Sequence, residues 1–269
     1  MSQARTDSES PSTVSLVLGS GGARGLAHIG VIEWLESNGY RIESIAGCSM
    51  GALVGGIHCA GKLPAYRDWV RALQRTDVLR FLDLAFRPGG LIKGDRIMET
   101  LRELVGEHRI EDLPIRYTAV ATDIERQREV WLSSGPLFDA IRASIAVPTV
   151  FTPHDCDGLK LVDGGLLNPV PIAPTFRDRT DITIAVNLNG DIVGVPWPRH
   201  APAEPAPAPP APGAHDDERP DSLHGRILSF LDQLGNSFAP EARDDDDALG
   251  MFELVSRSID TMQTVSYTH

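Results

Sequence analysis

The stretch Val14–Gly61, VSLVLGSGGARGLAHIGVIEWLESNGYRIESIAGCSMGALVGGIHCAG, alternates between two kinds of pattern, and that alternation decides the fold. VSLVLG is a short apolar, partly β-branched run ending in glycine, which reads as a buried strand feeding a turn. The turn is GSGGARG, Gly19–Gly25. Behind it Ile29, Ile32 and Leu35 recur at three-residue steps with Trp34 alongside, and Asn38-Gly39 stands where a helix would stop. IESIAG, GCSMG and ALVGGIHCAG then repeat strand, turn and mostly apolar helix, closing at Gly61. Two such units predict an α/β fold with a parallel sheet covered by helices.

Working outward, Asp95 is placed to cap a helix through Leu104, because Ile97, Leu101 and Leu104 share one face. IRYTAVATDI and REVWLSS read as two strands around a charged turn, and PLFDAIRASIA as a helix with Pro136 at its start. The VP and TP pairs after it favour extended chain. GLKLVDGG is a strand entering a tight turn, and TIAVNL, Thr183–Leu188, is the last strand expected in the sheet. Residues 191–222 include APAEPAPAPPAPG, which forms extended polyproline more readily than a packed core and reads as a linker or exposed excursion. Two amphipathic helices are expected beyond it, at 223–234 and 249–262, separated by the acidic run Asp244–Asp247. The partition is therefore a disordered polar leader over 1–13, a folded domain over 14–190, the Pro/Ala segment over 191–222 and a helical segment over 223–269.

Chemistry concentrates in three places. GCSMG, Gly47–Gly51, fits the GxSxG pattern, in which a serine sits on a sharp strand-to-helix turn and projects its hydroxyl outward. The five residues alone would more often be an ordinary turn, but they lie between a predicted strand and a predicted helix, which favours Ser49 as a nucleophile. Its usual base would be a histidine later in the chain. His58 falls in the following helix, where packing is its more ordinary role. His108 and His154 follow no convincing final strand, and His200, His215, His224 and His269 lie in or beyond the Pro/Ala stretch. A Ser-His-Asp triad is thus the second choice. Asp163 in LVDGG is the better candidate base, an acid at a strand end before two glycines, although such a sequence alone is more often a plain turn. A carboxylate is a weak base for a serine hydroxyl, so this pairing needs water excluded and an oxyanion strongly stabilised.

That need points to the glycine loop. Gly19–Gly25 joins a strand to a helix N-terminus, a geometry suited to presenting amides to an anion, with Arg24 adding charge. A dinucleotide fingerprint starting at Gly19 would require glycine at 24, where Arg24 stands. GIHCAGK, Gly56–Lys62, has the spacing of a phosphate loop, but Leu63 replaces its Ser or Thr and no strand precedes it. A transient oxyanion fits the glycine loop better than either nucleotide.

Composition narrows the partners. The 269 residues carry 25 Lys and Arg against 37 Asp and Glu, a net charge of −12, and 42% are hydrophobic. Such acidity excludes a protein that holds nucleic acid by neutralising phosphates. Much of the acid, including Asp216, Asp217, Glu218 and Asp244–Asp247, lies in the tail, and Arg24 is the one cation the motifs place near the reacting groups. Cys48, Cys59 and Cys156 match neither a disulfide framework nor a zinc site, which favours a reducing compartment. The leader MSQARTDSESPST lacks the apolar core of a signal peptide and no run is long enough to span a membrane, so a cytoplasmic protein is expected.

GGARG, GCSMG and DGG in this order resemble the patatin-like phospholipase family, serine lipid acyl hydrolases with a Ser-Asp dyad. GLIKGDRI, AVATDIERQREV and RASIAVPTVFTP resemble its connecting segments, the last lining the approach to the dyad, so the likeness covers most of Val14–Leu188. The resemblance implies a three-layer α/β/α fold around a mainly parallel sheet, with Ser49 as nucleophile and Asp163 as base. It implies an oxyanion hole from Gly21, Gly22, Arg24 and Gly25, a nucleophile elbow of Gly47, Cys48, Met50 and Gly51 around Ser49, and a DGG motif completed by Gly164 and Gly165. No metal or cofactor is required. The implied substrates are fatty-acyl esters of phospholipids, lysophospholipids or related lipids, with transient contact at the inner membrane surface and oligomeric state open. The Pro/Ala insertion departs from the family pattern, as does a tail that runs to SYTH without the further strand-like segment such proteins often have. Two other classes stand beside this one: a nucleotide or phosphate-binding module using Gly19–Gly25, and a non-catalytic adaptor working through the C-terminal helices. Leu79, Phe81, Leu82, Leu84 and Phe86 are candidates for an acyl pocket, although an apolar cluster is more often core.

Overall fold

A computed structural model describes residues 11–72, 95–148 and 150–190. Most of the leader, the apolar stretch Leu79–Phe86, the Pro/Ala segment and both C-terminal helices expected from sequence lie outside the described residues.

The first unit runs β1 (Thr13–Leu18), a 3-10 turn (Gly22–Leu26) and α1 (Ala27–Ser37), and the second runs β2 (Arg41–Cys48) directly into α2 (Met50–Cys59). Gly39 and Gly61 end the two helices with φ of 82° and 69°, conformations that cost a side chain dearly. Helices α3 (Leu63–Ala72) and α4 (Asp95–Val105) follow, then strands β3 (Arg116–Asp123) and β4 (Arg128–Leu132), and α5 (Leu137–Ser144) with Pro136 at its N-cap. The chain closes the described region with β5 (His154–Cys156), β6 (Leu159–Asp163) and β7 (Ile182–Val186). On α4 the buried stripe is Met98, Leu101 and Val105, with Leu104 partly covered. Past α5 the Val150 and Phe151 amides both donate to the Val147 carbonyl.

The seven strands form one mixed sheet flanked by helices, ordered β5-β6-β3-β2-β1-β7 with β4 paired to β3. Strands β7, β1, β2 and β3 are parallel, whereas β4, β6 and β5 join antiparallel. The expected mainly parallel sheet is therefore parallel at its centre and antiparallel at one side. Leu16, Leu18 and Ile45 point to the helices and share their core with Ile57, Phe138 and Ile141. Ser15 and Ser44 face the other way, and their hydroxyls donate to Asp178, which follows a 3-10 turn at Ala173–Arg177. Helix α2 is apolar on all sides and buried, as a central helix must be. Gly55 and Gly56 let it approach its neighbours, since a Cβ there would stand 2.7 Å from Ile45 and 2.9 Å from Ile141.

One detail of register positions the site. Strand β4 occupies one edge of β3 over Ala119–Asp123, so β2 and β6 must share the other edge. Cys48, at the end of β2, pairs with Val120, and Asp163, at the end of β6, pairs with Ala121. Two strands of opposite direction thus meet end to end on consecutive rungs. Both chains must leave the sheet at that junction.

Candidate active site

Ser49 leaves β2 as the N-cap of α2 with φ 56° and ψ −124°, a backbone conformation that side chains rarely adopt. The crowding around it explains the glycines. A Cβ on Gly51 would lie 2.0 Å from the Leu18 carbonyl oxygen, and one on Gly47 would lie 2.6 Å from the backbone of Ala52. The β1 and β2 ends and the first turn of α2 can close on one another only without those methyls.

The Ser49 hydroxyl donates to Asp163 Oδ2 at 2.6 Å, and both residues are buried, 6% and 5% exposed. Asp163 Oδ1 accepts the Gly165 amide at 2.7 Å, which caps the 3-10 turn Gly164–Leu166. Gly164 sits in the strand junction itself, where a Cβ would be 2.2 Å from the Val120 oxygen and 3.1 Å from Cys48 Sγ. Burial raises the Asp163 pKa to about 6 against the two hydrogen bonds, which pull it down. The same burial, with the Asp163 charge beside it, pushes the Cys48 thiol well up, so that it stays protonated.

The backbone of the pair is held as firmly as its side chains. The Ser49 amide donates to Ser144 Oγ at 2.9 Å, the Ser144 hydroxyl donates to the Val120 carbonyl at 2.6 Å, and the Asp163 amide donates to the Ala146 carbonyl at 3.0 Å.

The glycine loop lies against this elbow. A Cβ on Gly25 would be 2.3 Å from Cβ of Met50, and one on Gly21 would be 2.8 Å from Leu188. The entry to the loop is pinned by the Gly19 amide to the Val186 carbonyl at 3.1 Å and the Ser20 amide to the Pro169 carbonyl at 2.8 Å. His28 Nε2 donates to the Gly19 carbonyl at 2.8 Å, and burial lowers the imidazole pKa. The Arg24 amide is spent on the Gly21 carbonyl, and its guanidinium donates to Asn189 at 2.7 Å. No acceptor among the described residues takes the amides of Gly21 or Gly22.

Of the histidines that follow Ser49, His58 is buried in the last turn of α2 with Nε2 3.5 Å from Glu36, and His108 bonds the Val105 carbonyl at 3.1 Å. His154 lies in β5, and the later ones are outside the described residues. None of those described is hydrogen-bonded to Ser49. GIHCAGK forms the C-terminal end of α2, where carbonyls rather than amides are presented, the wrong polarity for phosphate. Among the described residues no group of three or more His, Cys, Asp or Glu is placed to hold a metal ion, and no helix is long and apolar enough to cross a membrane. All three cysteines are free thiols.

Sequence reasoning missed Ser144 and His28. Each carries a periodic signal: His28 precedes Ile32 and Leu35, and Ser144 follows Leu137 and Ile141, so each polar residue falls on an apolar stripe. A polar group on such a stripe must find a partner inside.

The family described as patatin-like phospholipase matches residues 16–176, more than half of the chain. An uncharacterized NTE family protein of Mycobacterium tuberculosis is 50% identical over 190 residues, covering 71% of this chain and 53% of that protein. A lysophospholipase of Emericella nidulans is 32% identical over 179 residues, 65% of this chain and 12% of its own length. A neuropathy target esterase of Drosophila persimilis is 33% identical over 167 residues, 59% and 12%. The chain spans about half the length of the mycobacterial relatives it matches. Among solved structures, VipD from Legionella pneumophila aligns with a TM-score of 0.37 at 14% identity, covering 58% of this chain and 46% of its own.

Proposed function

Because the chain belongs to the patatin-like phospholipase family, we propose that it is a serine acyl-ester hydrolase acting on fatty-acyl esters of lysophospholipids, phospholipids or related lipids. The observation that carries this reading is the 2.6 Å hydrogen bond from the Ser49 hydroxyl to a buried Asp163 at a strand-to-helix elbow. The names of the fungal and insect relatives, a lysophospholipase and an esterase, fit the same substrate class. Residues 14–190 are the catalytic unit in this proposal, and the three free thiols fit a reducing, cytoplasmic setting with contact at the membrane surface during turnover.

In the first step Asp163 Oδ2 takes the Ser49 proton as Oγ attacks the acyl carbonyl carbon. The carbonyl electron pair moves onto oxygen, and the resulting anion is met by the Gly21 and Gly22 amides and by the positive end of α2. Arg24 serves the hole through its backbone turn and its bond to Asn189 rather than through its own amide, and Gly25 serves by fitting against Met50. Collapse of the anion breaks the ester bond, and protonated Asp163 returns its proton to the leaving alcohol. Water, deprotonated by the same carboxylate, then releases the fatty acid and restores Ser49.

The test is hydrolysis of p-nitrophenyl acyl esters and fatty-acid release from lysophosphatidylcholine by wild type, Ser49→Ala and Asp163→Asn. Both variants are expected to lose roughly a thousandfold or more in kcat. Undiminished turnover in Ser49→Ala would remove the proposal.

A further inference from the structure

The backbone amides of Ser49 and Asp163 end on one three-residue segment: that of Ser49 on the Ser144 hydroxyl, that of Asp163 on the Ala146 carbonyl. We infer that this segment, Ser144–Ala146 at the end of α5, is a clamp that sets the separation of Ser49 and Asp163, and that Ser144 is its positioning residue. The inference rests on the reading of Ser49 as the nucleophile.

A serine near a helix end ordinarily bonds back to a carbonyl of its own helix. Ser144 is fully buried and instead reaches two other elements, accepting from Ser49 and donating to Val120 on β3. Val120 is the rung beside the strand junction, so the hydroxyl joins the elbow to the strand on which Asp163 is registered. Ser49 itself needs such a partner. Its amide has left the β2 ladder and precedes the first bonded turn of α2, so neither element satisfies it, and its φ of 56° is a strained value that persists only when its surroundings impose it. With the amide tied to Ser144, the hydroxyl of Ser49 is fixed on Asp163. Tying the Asp163 amide two residues further along the same segment makes the spacing of the pair a property of one short piece of chain.

The amide of Ser49 is thereby withheld from the oxyanion. Ser144 touches neither substrate nor the reacting oxygen, so its removal should slow the chemical step and leave acyl binding alone.

The experiment uses the full chain. Steady-state hydrolysis of a p-nitrophenyl ester is measured for wild type, Ser49→Ala, Ser144→Ala and Ser144→Thr, together with the rate and final stoichiometry of Ser49 labelling by a fluorophosphonate. Ser144→Ala is expected to lower kcat and the labelling rate by roughly 10- to 100-fold, with KM within about twofold of wild type and labelling still reaching one per molecule. Ser144→Thr, which keeps the hydroxyl, should recover most of the rate. Wild-type kcat in Ser144→Ala overturns the clamp, as does a loss matched by an equal fall in final labelling, which would mean only less folded protein. If Ser144→Ala does not fold, Ser144→Cys replaces it, and its weaker hydrogen bonding should give an intermediate kcat; a wild-type value again overturns the clamp. Wild type without Ser49-dependent turnover overturns the hydrolase reading and the clamp together, whereas active wild type with an unaffected Ser144→Ala overturns the clamp alone.

Discussion

The Gly165 amide holds one oxygen of Asp163 at 2.7 Å, leaving only the other to receive the Ser49 hydroxyl. The carboxylate cannot rotate away from the serine without abandoning that amide. Its own turn aims it.

Burial has raised the pKa of this carboxylate to about 6, and the proposed role of Asp163 as base requires it deprotonated, so kcat/KM should rise through an acid limb near pH 6. A pH profile on a non-ionising ester checks this, and full activity at pH 4 would contradict it. The same shift acts on stability. The folded pKa stands above the unfolded value near 3.9, so Asp163 favours folding below that value and ceases to as pH rises through about 6. Asp163→Asn should therefore be inactive yet more stable than wild type at pH 8, by up to about 3 kcal/mol, with the gain vanishing below pH 4. Urea melts at the two pH values measure it.

Ser49→Gly and Ser49→Ala both remove the hydroxyl, and they differ in what the backbone must bear. Because φ at Ser49 is 56°, glycine should be the more stable of the two by about 1 kcal/mol. That order is opposite to the usual one in helices. Thermal melts of the two variants side by side decide it.

Gly51→Ala and Gly30→Ala should move stability in opposite directions. A methyl on Gly51 would stand 2.0 Å from the Leu18 carbonyl, so the elbow or the strand must shift, at about 1–3 kcal/mol or more and with a fall in kcat. A methyl on Gly30, inside α1, meets nothing within 4 Å and should stabilise the helix by roughly 0.5–1 kcal/mol at unchanged activity. Chemical denaturation and ester hydrolysis on both variants test the pair.

His58→Gln separates a dyad from a triad. His58 faces Glu36 from the last turn of α2 and makes no bond to Ser49, so kcat should stay within about twofold of wild type, against the several-thousandfold loss expected of a triad base. The measurement is the same ester assay.

Local patterns in the sequence carry most of the elements, because a strand, a glycine turn and a helix each announce themselves over ten residues or so. The two units from Val14 to Gly61, the helix after Pro136 and the strand ending at Asp163 are all legible in this way. What is not legible depends on partners far along the chain. Nothing local in LKLVD says that β6 runs antiparallel to β3 or that it abuts β2, so Asp163 by itself reads as a turn residue. It is one: its carboxylate caps the turn with Gly165 while also meeting Ser49. Helix α3 starts two residues after Gly61, so the stop signal of α2 and the start signal at Pro64, a residue that suits a first turn, fall together and read as a single break. Ser144 stands in a helix that reads as plain core, and its use becomes visible only once Ser49 and Val120 lie beside it.

Ser49 and Asp163 are 114 residues apart in the chain and meet only where β2 and β6 abut on β3. During synthesis the proposed nucleophile, Ser49, therefore emerges long before Asp163, its proposed base. Under the proposed mechanism, an elbow formed by β1, β2 and α2 alone would present a serine hydroxyl with no acceptor for its proton, and such a fragment should not turn over. Pairing of distant segments is the slow part of building a sheet, so the onset of hydrolysis should coincide with the docking of β6 rather than with earlier collapse. Turnover in a refolding sample then counts molecules whose central sheet is complete.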